Sequence, residues 1–191
     1  MRLGTAALLT ALVIPSGAHA AISVIGGGIA HSCFVAADSA PTLAGEVTCT
    51  TALDDLSLSL RDRAATYVNR GVVRTGIRHF EAALSDYNQA IAMGKHLSPV
   101  DLGVTYVDRA SVLNATGRYA QAIEDANKGL SLGTPKPEIA YYNRGLAEDY
   151  LGNFKAAYYD YKQALTLVPN FTPAAEQLKR FRVESRPASG T

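Results

Sequence analysis

The pentapeptide YVNRG at residues 67–71 returns as YVDRA at 106–110 and as YYNRG at 141–145. Each copy has a tyrosine first, an arginine fourth and a small residue last. A catalytic motif seldom needs three copies, whereas a structural unit that stacks on itself does. The recurrence therefore predicts an array of similar units rather than one active site.

The residues that follow each arginine keep a fixed order. Counting from Arg70, an aromatic residue comes ten positions later, an alanine thirteen and an aspartate sixteen, and these are Phe80, Ala83 and Asp86. Arg109 and Arg144 are followed in the same way. This spacing favours two helices joined by a turn in each copy.

Helix boundaries are marked by turn and capping residues. The turns are expected near Gly76, at 115–119 and at 151–153, where glycine can end a helix. Ser98 before Pro99 is typical of a helix start, since the serine caps and the proline suits the first turn.

Small residues recur where the two helices of each copy should meet. Large side chains would hold the helices apart, so we expect these glycines and alanines to face one another: Gly71 and Ala83, Ala110 and Ala122, Gly145 and Ala157. The neighbouring tyrosines and phenylalanines should fill the space beside these contacts, and stacking of three hairpins should bury the remaining apolar surface.

These residues resemble the tetratricopeptide repeat in a variant with the order N-R-G, F, A, D-Y, A. The resemblance is clearest in YYNRGLAEDYLGNFKAAYYDYKQALTLVPN, which begins at Tyr141, and it covers about residues 64–170. It implies an all-α solenoid of three hairpins, and the stretch 172–183 is similar to the helix that shields the last repeat. The fold hosts many binding roles, so it does not identify a partner.

The repeated arginines have a structural interpretation and a functional one. An arginine on one helix and an aspartate on the next suit a bidentate ion pair, which predicts the pairs Arg70–Asp86, Arg109–Asp125 and Arg144–Asp160. The alternative is a basic groove that receives an acidic ligand.

The resemblance also implies a concave groove, lined by the first helix of each repeat, that receives a peptide or a segment of a partner protein. Carried onto this chain, the groove residues are Val68, Asn69, Val72, Val107, Asp108, Ser111, Asn114, Ile139, Tyr142, Asn143, Leu146, Asp149 and Tyr150. Asn69, Asp108 and Asn143 form a polar ladder along it, and amides there can hold the backbone of an extended peptide. A solvated wall that binds nothing is the alternative.

One subtype of the family grips the C-terminal carboxylate of chaperones with lysine, asparagine and arginine. Val68 and Val72 stand where that subtype carries Lys and Asn, and Ile139 and Asn143 replace its last two basic residues. Asp108 would repel a carboxylate. The chain is therefore not expected to be a chaperone clamp.

The first twenty residues have the layout of a secretory signal peptide. Arg2 precedes an apolar run that is short for a membrane span, and Ala18-His19-Ala20 suits signal peptidase. We expect cleavage after Ala20, no stable membrane insertion afterwards, and export to a bacterial periplasm or secretion. A short membrane anchor is the alternative.

The chain contains two cysteines, Cys33 and Cys49, and both precede the repeats. In an oxidising compartment an even pair predicts a disulfide. Two reduced, buried thiols are the alternative, and metal binding is poorly supported because the pair is not C-x-x-C and His31 is a lone candidate ligand. The flanking segments should form two short helices that cover the first repeat.

Other sites are not supported by the sequence. Gly26, Gly27 and Gly28 resemble a dinucleotide fingerprint, but His31 stands where the third glycine would be, so residues 21–33 are interpreted as a flexible lead-in. The lysines and arginines are scattered and the net charge is +1, which gives no basic stripe for nucleic acid. His79 at a helix start is more typical of structure than of catalysis, and no cofactor or metal is expected.

The sequence thus predicts a non-catalytic, exported scaffold that binds another protein or an extended peptide. Self-association through the repeat ends, giving a structural subunit, and an enzyme with an unadvertised site are the alternatives. The predicted segments are a signal peptide at 1–20, an arm at 21–62, an array and capping helix at 63–183 with repeats at about 64–97, 103–136 and 138–171, and a flexible tail at 184–191.

Overall fold

The computed structural model describes residues 3–5, 20–25 and 28–183. The regular secondary structure in this part of the chain is helical apart from one pair of short strands. Two helices form the arm, α1 (Ile29–Asp38) and α2 (Leu43–Asp54). Three hairpins follow: α3 (Leu60–Gly76) with α4 (Phe80–Ala92), α5 (Pro99–Ala115) with α6 (Tyr119–Ser131), and α7 (Pro137–Tyr150) with α8 (Phe154–Leu167). A short helix, α9 (Thr172–Leu178), comes last. The predicted all-α array is confirmed.

Serine caps set where the first helices of two repeats begin. The side chain of Ser59 accepts a hydrogen bond from the backbone N–H of Asp62 at 3.0 Å, and Ser98 accepts one from Asp101 at 3.0 Å. Each cap satisfies a backbone donor that has no partner within the helix. Because of these caps α3 and α5 begin about one turn before the predicted repeat boundaries.

The turns between paired helices use a left-handed residue, although not always a glycine. Gly117 and Gly152 adopt φ of +75° and +81°, and Arg78 holds the equivalent place in the first repeat with φ of 64°. Gly76, near which we predicted that turn, is the last residue of α3 and directly precedes the turn. A Cβ on it would lie 2.3 Å from Cγ of Pro41, so this glycine lets the arm approach.

The small residues of the first helices make room for buried tyrosine rings. A Cβ on Gly71 would lie 2.8 Å from Tyr87, and one on Gly145 would lie 2.9 Å from Tyr161. Both rings are completely buried, and the second repeat has alanine at both equivalent positions. Gly71 therefore faces Tyr87, which lies one turn beyond the predicted Ala83. The first helix carries glycine in the repeats where the second helix carries this tyrosine, and alanine where the second helix carries alanine.

Each repeated arginine donates two hydrogen bonds to the aspartate sixteen residues later. The N···O distances lie between 2.7 and 2.9 Å in all three pairs, which are Arg70–Asp86, Arg109–Asp125 and Arg144–Asp160. The guanidinium group also lies over the tyrosine three residues earlier, with its carbon 5.2 to 5.7 Å from the ring centre. These contacts connect the two helices of each hairpin and leave the arginines engaged with carboxylates.

The same arginines reach back to the preceding unit. Arg109 donates to the amide oxygen of Asn88 at 2.5 Å, and Arg144 donates to that of Asn127 at 2.5 Å. Arg70 donates in the same way to the hydroxyl of Thr50, on α2, at 3.2 Å. Helix α2 of the arm therefore takes the position that the second helix of a preceding repeat would occupy.

The arm is held together by the predicted disulfide, which is confirmed between Cys33 and Cys49. Both cysteines are completely buried, and they pack in one apolar cluster with Val72 and Val73 of α3. The arm thus covers the open end of the array.

Charged contacts fix the arm as well. Glu46 accepts a hydrogen bond from Nε of Arg74 at 2.8 Å, and its other oxygen lies 3.1 Å from Nδ1 of His79. Partial burial opposes ionisation of Glu46, but Arg74 and His79 outweigh it and lower its pKa. His79, at the start of α4, belongs to this contact between the arm and the first repeat.

The C-terminal end departs from the prediction of one helix over 172–183. Helix α9 has seven residues, and the chain then forms strand β2 (Phe181–Val183), which pairs antiparallel with strand β1 (Leu3–Thr5). Strand β1 lies within the predicted signal peptide, of which only 3–5 and Ala20 are described. The predicted tail at 184–191 lies outside the described residues. In the described ranges no helix has the length and apolar character needed to cross a bilayer.

Replacing both cysteines, Cys33→Ala with Cys49→Ala, should lower the free energy of unfolding by about 3 kcal/mol, because the bridge closes a loop of 16 residues in the unfolded chain. Urea unfolding followed by circular dichroism measures the difference. Added reductant should lower the free energy of unfolding of the wild-type protein and leave that of the variant unchanged. Equal stability of the two proteins under oxidising conditions would contradict the expectation.

Candidate functional site

The predicted groove is not an open surface. Of its thirteen residues only Tyr150 is exposed, at 41%. The other twelve are buried: Val68, Asn69, Val72, Val107, Asp108, Ser111, Asn114, Ile139, Tyr142, Asn143, Leu146 and Asp149. The prediction that these side chains line an open groove is therefore corrected. Residues 20–25 cover Asn69 and the C-terminal segment covers Tyr142, whereas Asn114 and Asn143 are buried between helices.

Residues 20–25, which we call the strap, lie in extended conformation against the first repeat. Ile22 is buried, 3% exposed, in the same apolar cluster as Val68, and Val24 packs against that cluster too. Ser23 and Ile25 face outward. Buried and exposed side chains therefore alternate along the strap as they do along a β-strand, although the strap packs on helices.

Asn69 holds the strap by its backbone. The N–H of Ile22 donates to Oδ1 of Asn69 at 2.8 Å, and Nδ2 of Asn69 donates to the carbonyl of Ile22 at 2.9 Å. Asn69 is completely buried, so both ends of its amide are satisfied by this one residue of the strap. The amide makes the backbone contact predicted for an extended peptide, and the peptide is part of the same chain.

Two further contacts hold the outward-facing positions. The N–H of Ile25 donates to Oδ1 of Asp62 at 2.9 Å, and Nη1 of Arg61 donates to the carbonyl of Ser23 at 3.0 Å. These four polar contacts all involve the backbone of the strap. Every residue except proline has both a backbone N–H and a carbonyl to offer.

The carboxylate of Asp62 is held in its charged form. Burial opposes ionisation, but hydrogen bonds from Ile25 N–H, Ser59 and Arg61 together lower the pKa of Asp62. The group is thus an anion at neutral pH, and its bond to the strap is charge-assisted.

The strap reaches the second repeat at its first residue. Ala20 lines a cavity of about 10 Å³ together with Asp108, Lys136, Val107 and Ile139. Such a volume holds one water molecule at most. Asp108, the middle member of the predicted ladder, is 2% exposed at this place.

The other amides of the groove tie helices to each other. Nδ2 of Asn143 donates to the carbonyl of Val107 at 3.1 Å, and Nδ2 of Asn114 donates to the carbonyl of Asn143 at 2.8 Å. Both bonds join α5 to α7. Asn143 therefore fixes the stacking of repeats two and three, whereas Asn69 holds the strap.

The third repeat is covered by the C-terminal segment. Tyr142 meets Phe171 edge-on with ring centres 5.6 Å apart, and burial raises the pKa of the Tyr142 phenol to about 12. Nη1 of Arg180 donates to Asp149 at 2.9 Å. Here the groove residues serve as the docking surface of the terminal helix.

An aromatic pair remains at the surface. Tyr119 and Tyr150 stack with ring centres 4.7 Å apart and planes 4° from parallel. Leu151 beside them is 48% exposed. This pair lies at the edge of the groove, between the second and third repeats.

The strap is the functional element that sequence reasoning missed. Residues 21–33 were interpreted as a flexible lead-in, whereas 20–25 are bound and Ile29 begins α1. Gly28, from the glycine run, precedes α1 with φ of +78°, which turns the chain from the strap into the arm. Ile22 and Val24 alternate with polar or exposed positions, but two apolar residues are too short a pattern to predict the strap from the sequence.

In the described ranges, no group of three or more His, Cys, Asp and Glu side chains is arranged to hold a metal ion. The repeated arginines that could have formed a basic groove are bound to aspartates, as described above. The chemistry this site offers is hydrogen bonding to a polypeptide backbone beside an apolar floor.

Comparison with known proteins agrees with this architecture. Residues 139–171 match the family model of the tetratricopeptide repeat. The third hairpin therefore matches the tetratricopeptide repeat. The TPR domain of Arabidopsis OM64 is similar to it with a TM-score of 0.58 and 24% identity, over 64% of this chain and 96% of that domain. The crystal structure of MamA is similar with a TM-score of 0.62 and 16% identity, over 81% of this chain and 82% of MamA.

A search of curated proteins gives no match. The likeness to the two solved structures is one of fold.

Replacing Asn69 by alanine should release the strap. The change leaves the N–H and carbonyl of Ile22 without partners, at a cost of about 1 to 3 kcal/mol for each buried group. We expect hydrogen exchange of the Ile22 and Ile25 amides to become at least about tenfold faster. Exchange measured by NMR or mass spectrometry gives the result.

Asn88→Ala is the matched control, since it removes an amide that contacts Arg109 at the surface and not the strap. Exchange of the strap amides should stay at the wild-type rate in that variant. An unchanged rate in Asn69→Ala would show that Asn69 does not hold the strap.

Proposed function

We propose that the protein is an exported, non-catalytic scaffold that binds segments of other proteins in extended conformation at the groove of its first repeat. The tetratricopeptide fold supports a role in protein interaction. The strap supports the finer statement, because it is an extended peptide lying in that groove.

The observation that carries the proposal is the pair of hydrogen bonds between Asn69 and Ile22. They engage the backbone alone, so the site accepts any segment that presents a free N–H and carbonyl with an apolar side chain to bury. Backbone bonds with pockets for alternate side chains are a common mode of recognition for extended peptides.

A partner segment would bind by displacing the strap. The strap is part of the same chain and competes at a high effective concentration. It lowers the apparent affinity for a partner by the fraction of molecules in which the groove is open. Binding would therefore be weak until the strap leaves or is weakened.

Export is supported by two features. The first twenty residues have the layout of a signal peptide. The buried disulfide between Cys33 and Cys49 is of the kind that persists in oxidising compartments such as the periplasm.

The binding proposal is tested with the full chain carrying Ile22→Ser and Val24→Ser, which weakens the strap. A fluorescent peptide with the strap sequence AISVIG serves as the probe, and anisotropy measures binding. We expect the peptide to bind this variant and to bind the wild-type chain far more weakly, because the wild-type groove is filled.

Adding Asn69→Ala to the strap variant is the matched control and should abolish binding of the peptide. Circular dichroism verifies that both variants are folded. Equal binding with and without Asn69, or no binding to a folded strap variant, would contradict the proposal.

Self-association is a second candidate function, favoured by the outer face of the arm. Val35, Leu43 and Val47 there are 47%, 64% and 65% exposed, and they could pack against a second copy of the chain. The arm closes one end of the array, so such a contact would stack copies end to end.

Light scattering over a wide concentration range separates the two functions. A self-assembling subunit should gain mass with concentration, and Val47→Glu should abolish the gain because it places a charge in the apolar face. Constant monomeric mass for the wild-type chain would remove this candidate and leave peptide binding.

A further inference from the structure

The strap crosses two repeats in a fixed direction. Ile25 lies at the start of α3 beside Asp62, Ile22 lies at Asn69 further along that helix, and Ala20 lies at Asp108 of α5. The predicted cleavage site follows Ala20. The strap of a cleaved chain would thus begin beside the buried carboxylate of the second repeat.

We propose that Asp108 is a binding site for the α-ammonium group that forms on Ala21 when the signal peptide is removed. Signal peptidase hydrolyses the peptide bond between Ala20 and Ala21. One water is consumed, Ala20 leaves with a new carboxylate, and Ala21 keeps a new amine. That amine takes up a proton at neutral pH, since its ordinary pKa is about 7.7 to 8.0.

Position and burial support this assignment. Adjacent Cα atoms are about 3.8 Å apart, so the amine of Ala21 starts close to the place that Ala20 occupies beside Asp108. Asp108 is 2% exposed, and opposite charges attract more strongly in such surroundings than in water. The cut therefore creates a cation next to a buried carboxyl group.

A second cation faces the same cavity. Lys136, which precedes α7, lines it together with Asp108 of α5, and among the residues that line it these two carry charge. The ammonium group of Ala21 would share the carboxylate with Lys136. Removing the charge of Lys136 should therefore strengthen the hold of Asp108 on the new amino terminus.

Removal of the signal peptide would change how tightly the strap closes the groove. In the uncut chain Ala21 is an amide and carries no charge. In the cut chain the strap gains an ionic contact at its first residue, beyond those at Asn69, Asp62 and Arg61. Cleavage would thus close the groove more tightly, and it would do so whether or not a partner peptide exists.

The contact has a defined dependence on pH. An ammonium group stabilised by a carboxylate has a pKa above its value in the unfolded chain. Its contribution to stability is complete below the unfolded pKa of about 8 and is lost as the pH rises through the folded value.

The test uses the chain as exported and cleaved. Mass spectrometry of the intact protein should give an amino terminus at Ala21. NMR of the Ala21 methyl group then follows the titration of the amine. We expect its pKa to lie about one unit above the ordinary value, which makes the amine about tenfold less reactive toward an acylating reagent at neutral pH.

Asp108→Asn should return the titration to the ordinary range. Asp101→Asn, also on α5 but away from this cavity, is the matched control and should leave the titration as in the wild type. Lys136→Gln should raise the pKa further, and it keeps the test decisive if Asp108→Asn does not fold.

Two results would overturn the proposal. One is an amino terminus at a residue other than Ala21. The other is an α-amino group that titrates at its ordinary value in both the wild-type and the Lys136→Gln chains. Neither result depends on the peptide-binding experiment, so failure here and failure there are distinguishable.

Discussion

The array depends on the contacts of one repeated arginine. It connects the two helices of each hairpin and also binds the preceding hairpin or the arm. Arg109 pairs with Asp125 through two hydrogen bonds of 2.7 and 2.8 Å, lies over the ring of Tyr106, and reaches Asn88 of the preceding repeat. Burying such a pair costs desolvation, which good geometry and a full set of partners offset. The planar guanidinium binds the carboxylate through two hydrogen bonds while its face lies on the ring, and a lysine ammonium lacks this geometry. One side chain therefore contacts both the second helix of its own repeat and the repeat before it.

The arm follows from the same constraint. The first repeat has no predecessor, so its arginine would lack its third partner and its apolar end would face water. Helix α2 supplies Thr50 in place of the missing amide, and the disulfide holds α1 and α2 together as a hairpin. The close approach of Pro41 to Gly76 shows how tightly this substitute unit is seated. Terminal units of repeat proteins need such covers because each unit buries only the faces of its neighbours.

Stacking the hairpins also creates the concave face. This face contains polar and aromatic side chains that need hydrogen-bond or packing partners when they are buried. Asn69 is buried and requires partners for both ends of its amide, and the strap supplies them. At the other end, Asp149 pairs with Arg180 and Tyr142 packs on Phe171. Because the chain fills its own groove, a partner segment could bind there only by displacing the strap. The three residues of the polar ladder therefore make different contacts. Asn69 holds the strap, Asn143 joins two helices, and Asp108 lies where the strap begins.

The sequence by itself determined the repeat, the pairing of each arginine with its aspartate and the disulfide, because these depend on local spacing that recurs three times or on two cysteines that have only each other. It also identified Asn69 as a residue that can hold an extended backbone. The tertiary structure decided what lies on the groove. Burial of Asn69, Asp108 and Tyr142 depends on segments more than twenty residues away, whose short apolar patterns carry no signal until a surface exists to receive them. The same limit applies to Gly71 and Tyr87: the spacing predicts a close approach of two helices, but only their packing shows which side chain fills the space.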